Sequence, residues 1–286
     1  MSSGSARWAT VLLFVVPGLW STNYLIARAA NGVIGPHTLA LGRWALAGAL
    51  MLPFVWPGLA RTLRRDPDLW RREWKHWLVL GALGMWICGA WVYVAGQTTT
   101  STNIALIYSV TPVAIVVLST WLLHERMTAP QKAAVVMALA GVLFVIAKGE
   151  LTHLLSVRFT AGDAWIVAAA ASWTTYSVLL KRWPSALGPA ERLVAVIGGG
   201  VLLLLPFTAL EWLAAPQPPL GMKAVALVIL AALVPGVASY SAYSYLQREI
   251  GASRTALMLY LAPVYGAAGA WLVLDERAGW HHAVGA

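Results

Sequence analysis

The chain has 286 residues, is 59% hydrophobic and only 11% charged, and has a mean hydropathy of +0.70. Soluble domains carry about 25% charged residues, so this composition excludes an ordinary soluble fold and indicates a polytopic membrane protein. The formal net charge of +9 reads as the Lys/Arg excess of cytoplasmic loops, not as a nucleic-acid-binding surface.

A span needs about 20 mostly apolar residues. In the first half the pattern predicts spans at about 8–29, 37–57, 77–96, 101–123 and 131–147. In the second half it predicts about 163–180, 190–210, 223–246 and 253–274. A tenth span begins near Trp280, and the expectation is that most of it is missing before the chain stops at Ala286. The N-terminus shows no short apolar core followed by a small-residue cleavage site, so the first span is expected to remain as a signal anchor. The single cysteine, Cys88, sits in an apolar run and is expected to pack.

The segment after the second span carries Arg61, Arg64, Arg65, Arg71, Arg72 and Lys75, which marks it as cytoplasmic. Its Trp70, Trp74 and Trp77 predict a stretch lying along the membrane interface. The N-terminus is then inside. Of the 20 basic residues, 14 fall inside, Arg43 lies within a span, and five (Arg28, Lys148, Arg158, Lys223 and Arg277) lie at or near the outside. Thr160–Asp163 forms a capping-box pattern that starts the sixth span.

The stretch Ala105–Arg126 recurs as Ala256–Arg277. At a constant offset of 151, Ala105, Leu106, Pro112, Val113, Leu123, Glu125 and Arg126 all find an identical partner. Near offset 153, Trp20-Ser21-Thr22 matches Trp173-Thr174-Thr175, and Gly35-Pro36 matches Gly188-Pro189. Duplication predicts two repeats, 1–150 and 151–286. Five spans per repeat is an odd number, so the second copy must enter the membrane inverted, as in many transporters. The fold class expected is an all-α membrane protein of ten helices in two inverted five-helix repeats.

Polar side chains at membrane depth usually face the bundle interior. The first span offers Trp20, Asn23 and Tyr24, and the sixth offers Trp173, Tyr176 and Ser177. The plainer alternative is that hydroxyls such as those of Ser21 and Thr22 bond back to their own helix. The third span places Trp86, Tyr93 and Gln97 at helical spacing, and the eighth places Tyr240, Tyr243, Ser244 and Gln247. Gln97 and Gln247, near helix ends, are assigned to an interfacial belt. The fourth span adds Asn103, Tyr108 and Ser109, and the ninth adds Tyr260. Pro112 and Pro263 each free a backbone carbonyl and are candidate gating points. Arg43 has two readings: its side chain snorkels to the headgroups, or it holds a substrate carboxylate.

None of the 11 acidic residues falls at mid-span. Proton-coupled carriers often relay through a buried carboxylate, so proton coupling is not expected. No HExxH, GxSxG or GxxxxGK[ST] pattern occurs, and His281-His282 are adjacent, which puts them off a shared helical face. No enzyme, cofactor or metal site is therefore expected.

WSTNY in the first span, GD…W..Y…KR from Gly162 to Arg182, and the pair TPV…ER and APV…ER resemble the EamA-type half of the drug/metabolite transporter superfamily. The resemblance spans nearly the whole chain in two copies, and within the superfamily it is similar to aromatic amino-acid exporters of the YddG type. It implies ten helices, both termini cytoplasmic, and a central cavity between the halves. It also implies export of aromatic amino acids and related small molecules across a bacterial inner membrane. Small multidrug members of the superfamily use a glutamate in their first helix; this chain has Thr22 and Asn23 there. The expected partners are a small-molecule substrate and the lipid bilayer. A broader drug or metabolite exporter is the alternative, and a membrane enzyme or scaffold is the reading from a different class. The sequence leaves the oligomeric state open, and a monomer is compatible with it.

Overall fold

The computed structural model describes residues 3–99, 101–125, 127–147, 150, 160–261 and 265. All regular structure among them is helical. Helix α1 runs Ser3–Ala30 and α2 Pro36–Arg65. The third span is α3 (Leu69–Gly81), a π-helical turn (Ala82–Ile87) and α4 (Cys88–Ala95). Then follow α5 (Ser101–Ser109), α6 (Thr111–Leu123), α7 (Ala129–Ile146), α8 (Ala161–Arg182) and α9 (Pro189–Ala214). The eighth span repeats the construction of the third: α10 (Met222–Ala231), a π segment (Ala232–Ala238) and α11 (Ser239–Ile250). A short α12 (Ala252–Ala256) passes into a 3-10 turn at Leu257–Leu261.

Among the described residues, six helical stretches are long and apolar enough to cross a membrane: Trp8–Ala27, Pro36–Arg65, Leu69–Ala95, Leu106–Leu123, Pro189–Ala214 and Met222–Ile250. Among the remaining expected spans, the fifth and sixth correspond to α7 and α8. The ninth begins at α12. The tenth, together with Pro263 and Glu276-Arg277, lies outside the described residues.

Local chemistry explains the boundaries. Helices α2 and α9 each open with Pro after an extended Gly, so the ring's fixed φ is preorganised and its missing N–H would be unpaired anyway. Asp66-Pro67-Asp68 turns the chain directly from α2 into α3. Trp70 and Trp74 stand exposed there, while Trp77 turns inward and donates to Glu73 (3.3 Å).

The tightest crossing is between α3 and α9. A Cβ on Gly81 would come within 2.3 Å of the Gly200 nitrogen, and one on Gly199 within 2.7 Å of the Trp77 carbonyl oxygen. Glycine is what lets these backbones touch, the usual solution where lipid gives no hydrophobic drive for helix association. Helices α2 and α3 therefore lie on α9, α4 and α6 lie on α8, and α1 lies on α11. These contacts aim the two π segments at the middle of the bundle.

Candidate functional site

A π turn widens the hydrogen-bond register and leaves carbonyls available to side chains. At the first π segment, Leu83 O accepts from Ser172 (2.8 Å), Gly84 O from the Tyr240 hydroxyl (2.9 Å), and Met85 O from the Trp44 indole N–H (3.1 Å). Gly84 is required here, because a Cβ would meet the Tyr176 ring at 2.9 Å. At the second segment, Val234 O accepts from Ser239 (3.0 Å) and Pro235 O from Arg43 (2.8 Å).

Around these segments the rings of four helices close together. Trp20 of α1 meets Trp173 of α8 edge-on, with centroids 5.1 Å apart and planes at 88°. Trp20 also lies 5.1 Å from Tyr243 and 6.0 Å from Tyr240, both on α11. Trp173 stacks on Tyr176 (5.1 Å, 24°), and Trp44 of α2 meets Tyr240 edge-on at 4.8 Å. Edge-on and offset pairs are the favourable geometries for aromatic quadrupoles. Trp173, Tyr176, Tyr240 and Tyr243 are each at most 5% exposed, so the rings occupy the space between the helices with one another.

Beside the rings is a polar cluster. Arg43 is 2% exposed and turned inward, which rules out the snorkelling reading. Its guanidinium donates to Asn23 Oδ1 (3.2 Å), to the Tyr93 hydroxyl (3.2 Å) and to Pro235 O. Tyr93 in turn donates to Asn23 Oδ1 (2.7 Å). The guanidinium carbon lies 4.5 Å from the Trp44 ring centroid and 5.9 Å from that of Tyr240, within cation–π range. A second buried chain runs from the Gln247 amide to the Tyr243 hydroxyl (2.9 Å) and on to Ser177 (2.7 Å). Gln247 is thus a core residue, 2% exposed, and not part of an interfacial belt. Its helix end is buried against α8, where Lys181 donates to the Gln247 carbonyl (3.2 Å).

Trp20, Asn23, Tyr93, Trp173, Tyr176, Tyr240 and Tyr243 therefore converge. The other sequence candidates sit elsewhere. Asn103 donates to Asp163 (2.7 Å), which also takes the Thr160 amide (2.6 Å) and the Thr99 hydroxyl. Asp163 thus ties α5 to the start of α8 as well as capping α8. The Tyr108 hydroxyl lies 4.0 Å from the Cys88 sulfur, and Ser109 bonds back to Leu106 O (2.6 Å). Tyr260 lines a recess of about 690 Å³ with Leu13, Gln131 and Arg254, between α1, α7 and the 3-10 turn. Trp86 and Tyr93 do not share a face. The π turn adds a residue to the register between them, so Trp86 stacks on Phe207 (4.1 Å) while Tyr93 reaches Arg43. Pro112 sits at the second position of α6, just after the helix breaks at Val110, so its missing N–H costs no intrahelical bond.

Sequence reasoning missed Trp44 and Ser172, which carry no motif and matter only because carbonyls of the first π segment face them. Hydroxyls split as the plainer alternative holds: Ser21, Thr22 and Thr175 bond to their own helix carbonyls at 2.7, 2.7 and 2.9 Å, whereas Ser172 and Ser177 bond across helices.

The model of the EamA-like transporter family matches the chain twice, over residues 7–147 and 160–286. An uncharacterized transporter of Archaeoglobus fulgidus is 24% identical over 278 residues, 96% of this chain and 92% of that protein. The aromatic amino acid exporter YddG of Ancylobacter novellus is 27% identical over 237 residues, 82% of this chain and 77% of that one. A probable terminal-alkyne amino-acid exporter of Streptantibioticus cattleyicolor is 24% identical over 278 residues, 96% of this chain and 88% of that one. A solved crystal structure, 21% identical, superposes with a TM-score of 0.72 over 97% of this chain and 92% of its own. With its long apolar helices and two family matches that together span nearly its full length, this chain belongs to the EamA-like transporter family, a family of multi-pass membrane transporters.

Proposed function

We propose that the protein exports aromatic amino acids and related small molecules across the bacterial inner membrane by alternating access. The observation that carries this reading is the ring cluster of Trp20, Trp173, Tyr176, Tyr240 and Tyr243, assembled at the convergence of α1, α8 and α11. An aromatic substrate that separates these helices replaces ring–ring contacts with contacts of the same kind. Similarity to an aromatic amino acid exporter and to an amino-acid exporter supports the same substrate class.

Alternating access is read from a two-repeat construction in which the second half is inverted and the N-terminus is cytoplasmic. The family match occurring twice supports duplication. So do two structural coincidences. The first π segment, shifted by 151, falls on residues 233–238 inside the second. The break at Val110, shifted likewise, falls on the 3-10 turn at Leu257–Leu261. Pro112, just after the first break, serves as a flex point, and its repeat counterpart in the sequence, Pro263, is assigned the same role. Transport runs down the substrate gradient without proton coupling. Among the described residues, the carboxylates Glu73, Glu125, Asp163 and Glu211 are each engaged with another element of the fold.

Uptake of labelled amino acids into proteoliposomes tests the reading. Phenylalanine should move faster than alanine, and an imposed pH gradient should not concentrate it. Accumulation against its gradient that a protonophore abolishes would end the uncoupled mechanism. Equal transport of unrelated drugs would assign the broader exporter instead. Aromatic pairs contribute about 0.5–1.5 kcal/mol beyond area burial, so Trp20→Leu or Trp173→Leu should weaken phenylalanine affinity roughly 2- to 12-fold. Alanine should be affected less. Equal effects on both substrates would make these tryptophans packing residues.

A further inference from the structure

We infer that the buried Arg43–Asn23–Tyr93 cluster is an anion subsite that binds the carboxylate of the substrate, so that transported molecules must carry one. The inference rests on the transport reading above and narrows its substrate class.

The argument begins with charge. A guanidinium stays protonated in proteins and offers five N–H donors. Arg43 is 2% exposed, yet its hydrogen-bond acceptors among the described residues are all neutral: an amide oxygen, a phenol oxygen and a backbone carbonyl. Its Nε has no acceptor, and it forms no ion pair among the described residues. A buried charge is heavily penalised unless paired, and intramembrane ionisable side chains face interiors or pathways where a partner arrives.

The neighbours are arranged for the same sign. Asn23 Oδ1 is taken by both Arg43 and Tyr93, which turns the amide N–H₂ of this half-buried residue outward from the pair as a further donor. A carboxylate accepting from Arg43 would form charge-assisted bonds stronger than the neutral ones it displaces. The subsite also abuts the rings. Trp44 and Tyr240 lie 4.5 and 5.9 Å from the guanidinium carbon, and Tyr240 lies 6.0 Å from Trp20. One ligand with a carboxylate a few bonds from an aromatic ring can therefore touch both.

The experiment compares ligands on the purified wild-type protein by thermal stabilisation. The probes are phenylalanine, 3-phenylpropionate, phenylalaninamide, phenethylamine, alanine and lactate. Phenylalanine and phenylpropionate should bind at least ~10-fold more tightly than the amide and the amine, since a charge-assisted hydrogen bond is lost. If the amide and amine match them, the carboxylate inference falls while the aromatic reading stands. If alanine and lactate bind as well as the aromatic acids, the aromatic reading falls while the inference stands. If no carboxylate binds, the inference is overturned. Arg43→Gln should remove the preference for acids over amides, and Arg43→Lys should keep part of it. Should Arg43→Gln fail to fold by size-exclusion chromatography, Arg43→Lys and the wild-type series decide. A folded Arg43→Gln protein that binds phenylalanine like wild type overturns the inference.

Discussion

Charge is handled in opposite ways at the ends of the helices and at their centre. Glu211, at the end of α9, accepts from the His37 amide (2.8 Å), the Thr38 amide (3.0 Å) and the Thr38 hydroxyl (2.7 Å), capping the start of α2. Glu125 accepts from the amides of Ala252 and Ser253 (3.2 and 3.1 Å), capping α12. Glu73 holds the loop before α9 through the Ala186 amide (3.1 Å) and the Ser185 hydroxyl. In each case a negative carboxylate meets the positive end of a helix or a free loop amide, and the charge is answered by the fold itself. Arg43 is the reverse case: a full positive charge answered by neutral oxygens and ring faces, with no carboxylate among the described residues. Charges that the fold satisfies hold it together. A charge it leaves short of a counter-ion is where a ligand contributes most.

Substitutions can break that division, and the largest effect is expected at Glu211. Glu211→Ala strips two backbone amides, a hydroxyl and the His37 ring of their acceptor (Nδ1 at 3.1 Å), which should cost roughly 2–4 kcal/mol. Thermal unfolding of the purified protein should show a clear drop in midpoint. Transport per folded molecule should stay within about twofold, because the residue lies away from the rings. Lost transport with an unchanged midpoint would place a functional carboxylate at a helix end and collapse the distinction.

Glu125→Ala removes a carboxylate whose two oxygens each accept one amide. It should lower stability by roughly 0.5–2 kcal/mol, the range for a lost helix cap. The same unfolding measurement checks it, and a loss as large as that at Glu211 would mean that the α6–α12 junction carries more than a cap.

The smallest change is expected beside the site. Thr22 bonds its own helix at Leu19 O (2.7 Å), so Thr22→Ala should shift stability by no more than about 0.5 kcal/mol and leave phenylalanine transport intact. A selective loss of phenylalanine transport would show that the hydroxyl reaches substrate during the cycle, and would move the subsite one residue beyond Asn23.

The sequence by itself determined the class of protein, because apolar runs of about 20 residues leave few options other than spanning helices. The spans expected from about 37 and 190 open at Pro36 and Pro189, since proline's ring acts locally. The sequence singled out Trp20, Trp173 and the tyrosines of the eighth span, because large polar-tipped rings inside apolar runs stand out by composition alone. Only the tertiary structure decided which of these meet. The π segments at Ala82–Ile87 and Ala232–Ala238 shift the register by a residue, so even i, i+7 spacing misplaced Trp86 relative to Tyr93. Gln247 read as interfacial because it is near a helix end, yet it is 2% exposed, since that end is covered by α8. Arg43 was legible as a charge inside a span but not as an inward one. The direction of a long side chain is set by what lies across the bundle: here Asn23, Tyr93 and a backbone carbonyl 192 positions further along the chain.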